Sequence, residues 1–440
     1  MSEIQQLEAM VQQLVDEAKK RGATAAEADV SVVTGLSATV RLGEVETVEY
    51  NKDRGLGLTV YFGKRKGSAS TSDFHAGAIE ETVAAACGIA KYTAEDEFSG
   101  LPEKDSLAFD YPELDLHHPW EIDSEKAVDL AKACEDAARG YDQRITNSEG
   151  ASVSTHRGVR VYGNSLGFVG GYGTTRHSIS CSVIAQQGES MERDHWYTSS
   201  RVPATLDDPE AVGFEAARRA VHRLNARKLA TGVWPVLYIA DVAGGLWSHF
   251  TGAIRGESLY RKSTFLLDSL GTQVFPDYVT LTEEPHLARA IGSAPFDGEG
   301  VRTRAHDIVR DGVVQSYILD TYSARKLGMT STGNSGGVHN LHVRSGDQGL
   351  DALLKRMDKG LLINELMGQG VNRVTGDYSR GAAGFWVENG EIQYPVHEIT
   401  VAGNLRDMFK RIVAVGNDID PRRNVRTGSV LLEAMTIAGT

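Results

Sequence analysis

Histidine pairs and one histidine–glutamate pair are the residues of this sequence with the clearest potential for chemistry, because they could hold a hydrolytic zinc ion. Such an ion needs three protein ligands and an open fourth position, and two histidines of one helix beside a glutamate base commonly supply this set. Three groups come near the pattern: His397-Glu398, His339 with His342, and His117-His118. The first lacks a second histidine nearby, the second has no acid between its members, and the third precedes Pro119. Spacing alone therefore assigns no metal ligand to this chain.

Nucleophilic catalysis has no better candidate. A catalytic cysteine needs a basic neighbour that lowers its pKa, whereas Cys87 and Cys134 lie on apolar helix faces and Cys181 lies in a predicted strand. A Gly-x-Ser-x-Gly elbow is absent, and the sequence Gly-Asn-Ser-Gly-Gly at 333–337 is typical of a turn. The glycines at 163–173 fall in a strand-rich stretch, where they predict bulges and turns rather than a phosphate-binding loop. The sequence contains no self-contained catalytic set that these patterns identify.

The elements that must position any site follow from hydrophobic periodicity. Residues 5–21 carry apolar side chains at helical spacing and predict an amphipathic helix that ends at Gly22. Alternating apolar residues between 28 and 71 predict antiparallel strands. Apolar residues return to helical spacing at 79–90 and predict a second helix. The stretch 98–120 contains three prolines and is predicted to be a connector.

The next part of the chain repeats the combination of helix and sheet. A helix is predicted to begin at Asp123 or Ser124, either of which can accept the free amide hydrogens of a first turn. Residues 144–200 alternate glycines with β-forming residues and predict a β meander. Asp208 as N-cap and Pro209 at the first helical position open another predicted helix.

The remainder of the chain is predicted to be mostly sheet. Asp311-Gly312 and Asn389-Gly390 are strong hairpin turns, and the remaining predicted elements are a strand at 236–240 and short helices at 350–362 and 405–413. The fold class is therefore α+β, with antiparallel sheets, flanking helices and no regular βαβ alternation. The predicted domains are an N-terminal α+β domain at 1–119, a central β-rich domain with helices at 120–231, and a mostly-β domain at 232–440.

Composition excludes several functional classes. The 440 residues are 41% hydrophobic and 24% charged, and no apolar run is long enough to cross a membrane. The formal net charge of -13 repels a phosphate backbone, so direct nucleic-acid binding is not expected. The first twenty residues lack the pattern of an export signal, and three widely separated cysteines fit a reducing compartment. We expect a soluble, cytoplasmic protein.

Long, rare strings of residues resemble the TldD/PmbA family over nearly the whole chain. They include Tyr-Arg-Lys-Ser-Thr-Phe-Leu-Leu-Asp at 260–268 and Gly-Asp-Tyr-Ser-Arg-Gly at 376–381. The second of these strings continues through 394–395, and further matching stretches lie at 43–70, 144–147, 191–194 and 323–328. The resemblance implies a PmbA/TldD-like fold and a function in peptide hydrolysis.

The resemblance also implies where the metal lies. In this family the TldD subunit bears the zinc, with His-Glu-x-x-x-His and a later cysteine as its implied ligands. The corresponding stretch here, 244–252, contains His249 but no glutamate and no second histidine, and residues 416–432 contain no cysteine. A single imidazole cannot hold a catalytic zinc ion. We therefore expect no catalytic residue, no metal ligand and no cofactor in this chain, with zinc in a TldD-like partner.

The implied assembly is a heterodimer with the TldD-like subunit that degrades unfolded peptides and processes peptide precursors, with self-association also open. Asp377, Tyr378, Arg380 and Gly381 are the predicted substrate-binding residues, in a glycine-rich strand that could pair with an extended peptide. An ordinary hairpin is the competing interpretation of that strand. Two other functions stay open: a stand-alone hydrolase with an unrecognised site, and a regulatory binder, since the family is also named modulator of DNA gyrase.

Overall fold

The computed structural model describes residues 2–439, and its first layer is one long antiparallel sheet covered by helices. The N-terminal part contributes α1 (Glu3–Lys20), β1 (Ala25–Arg41), β2 (Glu44–Phe62), β3 (Arg65–Thr71) and α2 (Ala76–Tyr92). The central part contributes α3 (Ser124–Gly140), β4 (Ile145–Asn164), β5 (Val169–Gln187), β6 (Ser190–Ser200) and α4 (Pro209–His222). The strand order is β3-β2-β1-β4-β5-β6, so both parts share this sheet.

Side-chain caps and apolar stripes explain the helices of this layer. The Asp123 carboxylate accepts a hydrogen bond from Lys126 N at 2.8 Å, and the Asp208 carboxylate accepts one from Glu210 N at 2.9 Å. Both predicted N-caps are confirmed. Helices α1 and α2 bury their apolar faces against one half of the sheet, and α3 and α4 cover the other half, with Cys134 fully buried between them.

The C-terminal part combines two sheets with one buried helix. Its strands are β7 (Gly232–Tyr238), β8 (Leu281–Glu283), β9 (His306–Arg310), β10 (Val313–Val314), β11 (Leu341–Val343), β12 (Gly360–Met367), β13 (Asp377–Glu388), β14 (Glu391–Asn404), β15 (Ile412–Val415), β16 (Val425–Arg426) and β17 (Val430–Ala438). Its helices are α5 (Ala240–Ala253), α6 (Gly256–Tyr260), α7 (Thr321–Lys326), α8 (Leu350–Met357) and α9 (Leu405–Lys410). The larger sheet has the order β14-β13-β12-β7-β17-β15, and β14 also pairs with β17, which closes it into a ring. The smaller sheet has the order β10-β9-β8-β11-β16.

The predicted fold class is confirmed: the sheets are antiparallel apart from the parallel pairs β7–β12 and β11–β16. Both predicted hairpins form, and the connector is irregular apart from a short 3-10 turn at Lys104–Ser106. None of the helices among residues 2–439 has both the length and the apolar character needed to cross a membrane. The division into domains at 119 and 231 stays a prediction.

Three details of the prediction are wrong. The helix predicted at 350–362 ends at Met357, because the apolar run that follows is β12, which is buried on both faces and lies beside β7. The helix predicted at 405–413 ends at Lys410, and β15 follows. Among the glycines at 163–173, only Gly167 lies in a turn, with φ of 94°. Gly163 instead allows close packing of α1, since an added Cβ would lie 2.6 Å from Val11 Cγ1.

Candidate functional site

Helix α5 forms the centre of the C-terminal part and carries the stretch that the family resemblance singled out. Trp247 and Phe250 are fully buried, and Trp247 Nε1–H donates to Thr427 Oγ1 at 3.0 Å. Periodicity did not predict this helix, because its three glycines are poor helix formers and its sequence follows directly on a strand. Burial against the ring-shaped sheet stabilises it instead.

His249 lies on α5 with its ring against strand β13. The imidazole meets the ring of Tyr378 edge to face, with centroids 5.9 Å apart and an interplanar angle of 79°. One turn further along α5, the guanidinium of Arg373 lies over Gly252, where an added Cβ would be 3.7 Å from Arg373 Cζ. Sequence reasoning missed Arg373, which lies in the loop before β13 and belongs to no recognisable motif.

The surroundings of His249 are positively charged. Burial, followed by the charges of Arg380 and Arg373, lowers the pKa of the imidazole from 6.5 to about 4. Within residues 2–439 neither arginine has a carboxylate oxygen within the 4.0 Å that defines an ion pair. His249 is therefore neutral at pH 7 and lies near two uncompensated guanidinium groups.

These residues do not fit a zinc ion. A catalytic zinc site joins three neutral or anionic donors, and its ligands must lose their protons to bind the metal. Here one imidazole is available, and the nearby charges that lower its pKa are cationic and would repel a divalent ion. Across the described residues, no three histidine, cysteine, aspartate or glutamate side chains are grouped so as to hold a metal.

Three other histidines of the sequence analysis form hydrogen bonds that hold the fold together. His339 is buried, and its Nδ1 lies 2.9 Å from Glu283 Oε1. His397 Nδ1 lies 2.9 Å from Glu192 Oε1, and His118 Nε2 lies 3.0 Å from the carbonyl oxygen of Asp115. The three cysteines are buried and form no disulfide.

The four predicted substrate-binding residues lie at the start of β13, but two of them have structural partners. The exposed Asp377 carboxylate accepts hydrogen bonds from Thr375 Oγ1 at 2.6 Å and Asn404 Nδ2 at 3.2 Å, which hold its pKa below the ordinary value. Tyr378 is only 2% exposed and belongs to the core around α5. Both side chains therefore also have a structural role.

Arg380 and Gly381 are more accessible, but strand addition at β13 is not available to a peptide. Arg380 is half-buried, and its guanidinium lies 3.4 Å from the carbonyl oxygens of Leu366 and Met367. One edge of β13 is paired with β14. The other edge is paired with the loop at 370–372 near Asp377 and with β12 from Gly381 onward, so both edges are occupied. That part of the sequence interpretation is wrong, because the hydrophobic pattern does not show which strand lies inside a sheet. Substrate binding by these four residues stays a prediction.

Comparison with known proteins gives the family. The profiles described as PmbA/TldA metallopeptidase domain 1, central domain and C-terminal domain match residues 26–90, 117–224 and 231–439. The chain is 55% identical to the metalloprotease PmbA of Escherichia coli O157:H7, over 94% of this chain and 92% of that protein. The chain belongs to the PmbA/TldD metallopeptidase family.

Two further similarities extend across the PmbA/TldD family. A crystal structure from Bacteroides thetaiotaomicron, described as a putative modulator of DNA gyrase, superposes with a TM-score of 0.92 at 30% identity and covers 98% of both chains. The metalloprotease TldD homolog of Haemophilus influenzae is 23% identical, over 85% of this chain and 82% of that protein. Chains named PmbA and chains named TldD are therefore both similar to this one along most of their length.

Proposed function

We propose that this chain is the metal-free subunit of a two-subunit zinc metallopeptidase whose zinc ion is held by a TldD-like subunit. In this proposal the pair degrades unfolded peptides and processes peptide precursors in the cytoplasm, and this chain alone cleaves no peptide bond. The three buried, unpaired cysteines suit that reducing compartment.

The observation that carries the proposal is the charge around His249. A metallopeptidase needs a Lewis acid that lowers the pKa of a bound water, and the positive surroundings of His249 oppose a cation there. The chain nevertheless belongs to a metallopeptidase family. A partner that carries the full ligand set reconciles the two facts, and the TldD-like chains of the family are the natural candidates.

The test is peptide turnover by the separated and the combined subunits. A dye-labelled, reduced and alkylated casein serves as the unfolded substrate for this chain alone, for the TldD homologue of the same organism alone, and for an equimolar mixture. We expect turnover only in the mixture, its loss with a chelator and its recovery with added zinc. Chelator-sensitive hydrolysis by this chain alone would contradict the proposal. Direct binding to purified gyrase without the TldD homologue would instead favour the regulatory function.

A further inference from the structure

A groove of about 1080 Å³ lies between the central and C-terminal parts, away from His249. One wall is β6, and the other is β14. Its floor is largely apolar and includes Leu362 and Phe385. This volume is sufficient for several residues of a ligand in extended conformation.

Both walls of the groove are strand edges. β6 is the last strand of the six-stranded sheet. The outer edge of β14 carries no strand at residues 392–394; Arg227 then bridges to Val396 and its amide donates to the Pro395 carbonyl oxygen at 2.9 Å, and β17 pairs from Thr400 onward. The groove is lined by residues 198–200 of β6 and 392–395 of β14. Successive side chains of a strand point to opposite faces of the sheet. A cavity that is lined by consecutive residues of one strand therefore lies along the edge of that strand. Main-chain groups therefore border the groove on both sides.

The hydrogen bonds of β6 show which of its main-chain groups point outward. The carbonyl oxygen of Tyr197 accepts from Arg422 Nη1 at 2.8 Å, and the amide of His195 donates to the Asp194 carboxylate at 2.7 Å, so neither group is used by β5. In a regular antiparallel pair, residues whose main-chain groups bond to the partner strand alternate with residues whose main-chain groups point away from it. The β5–β6 register has no bulge, so Ser199 follows the same alternation as His195 and Tyr197. The N–H and C=O of Ser199 accordingly face away from β5, on the side of the groove.

Asn364 adds an unpaired acceptor to the floor. It lies at a bulge of β12, where the register with β13 shifts between Ile363 and Glu365. The residue is only 7% exposed, yet its Oδ1 has no hydrogen-bond partner among residues 2–439. A buried amide oxygen without a partner is unfavourable. The oxygen is covered in the unliganded groove, so the Asn364 side chain has to turn toward the groove for a ligand N–H to satisfy it.

Stacked side chains hold one end of the groove in place. Arg422 Cζ lies 4.0 Å from the ring centroid of Trp196, and Arg219 Cζ lies 5.0 Å from it. Arg219 Nε also donates to the Asp194 carboxylate at 3.1 Å. The wall that presents Ser199 is therefore preorganised, which reduces the entropy lost when a ligand binds.

We propose that this groove binds an extended peptide segment by strand addition to β6. Ser199 pairs with the peptide main chain, Asn364 Oδ1 accepts a peptide N–H, and the apolar floor takes alternate side chains. The inference deepens the proposed function, on which it rests for the identity of the ligand, and gives this chain the role of holding substrate for the metal-bearing subunit.

The test is binding of a defined peptide to the isolated chain, followed by fluorescence anisotropy. The probe is a dye-labelled, N-acetylated and C-amidated octapeptide of alternating leucine and serine, and its control is the same peptide with alternate amides N-methylated. We expect the methylated peptide to bind at least tenfold more weakly, because it has lost the donors that strand addition requires. Equal binding of the two peptides would overturn the inference.

Two pairs of variants locate the site. Asn364→Ala should weaken binding about three- to tenfold, the effect of one hydrogen bond, whereas Asn51→Ala on the exposed part of β2 should leave it unchanged. Ile392→Arg should also weaken it, compared with Val45→Arg, since these two side chains are 49% and 48% exposed and neither supports the core. Unchanged binding in both groove variants would overturn the proposed location.

The peptide-binding and casein-hydrolysis experiments can fail independently, so together they distinguish the groove assignment from the proposed function. If the chain does not bind the peptide but the mixture with the TldD homologue hydrolyses casein, only the groove assignment fails. If the chain binds the peptide but no zinc-dependent hydrolysis appears in the mixture, only the two-subunit peptidase proposal fails.

Discussion

At the scale of single residues, the pKa of the His249 imidazole depends on its burial and on the charges that surround it. Its pKa of about 4 means that the folded chain keeps this side chain neutral, while in the unfolded chain the same group has a pKa of 6.5. As the pH falls from 6.5 to 4, the unfolded chain takes up this proton first, so the contribution of His249 to stability decreases over that interval. Burial is the main cause of this low pKa, and the positive charges that lower it further would also repel a metal ion.

Replacing Arg380 tests this electrostatic account. In Arg380→Gln the pKa of His249 should rise above about 4 but stay below its ordinary value, because one of the two nearby charges is gone while burial remains. The measurement is an NMR titration of the His249 ring protons. Arg157→Gln, on the exposed surface of β4, is the control and should leave the titration unchanged. If Arg380→Gln also left it unchanged, the positive surroundings described here would be wrong.

At the scale of elements, local patterns predicted the N-terminal and central parts well, since caps such as Asp123 and Asp208 and the apolar stripes are local signals. Local patterns gave wrong predictions where contacts between distant parts of the chain determine the structure. The run at 361–363 forms an interior strand instead of extending a helix.

For the site, the sequence identified His249 and Arg380 through the family resemblance. It could not show that β13 is paired on both sides, nor that Arg373 approaches α5 from a distant loop.

Close packing of α3 against α4 gives a prediction at this scale. An added Cβ on Gly213 would lie 2.0 Å from the carbonyl oxygen of Cys134, so Gly213→Ala must push the helices apart and should lower stability by about 1–3 kcal/mol. Gly88→Ala in α2 meets no atom within 4 Å and should raise stability by about 0.5–1 kcal/mol. Thermal unfolding followed by circular dichroism measures both. Changes of the same sign in the two variants would contradict the packing described.

At the scale of the whole molecule, ion pairs fix the central part against the C-terminal part. The guanidinium of Arg223 contacts Glu192 at 3.4 Å and Asp194 at 3.5 Å, both on β6, and also contacts Glu365 on β12. These charges are mostly buried, and removing one partner would leave the others uncompensated. The two walls of the proposed peptide groove are therefore held in a fixed relation to each other.

Metal analysis of the isolated chain shows whether zinc is held by this chain or, as we propose, by a TldD-like partner. The chain is purified without chelator, incubated with excess zinc, passed through a desalting column and analysed by inductively coupled plasma mass spectrometry. We expect less than about 0.1 zinc per chain, because one imidazole near two guanidinium groups cannot retain the ion. One zinc per chain in the native protein, lost in His249→Ala, would contradict it.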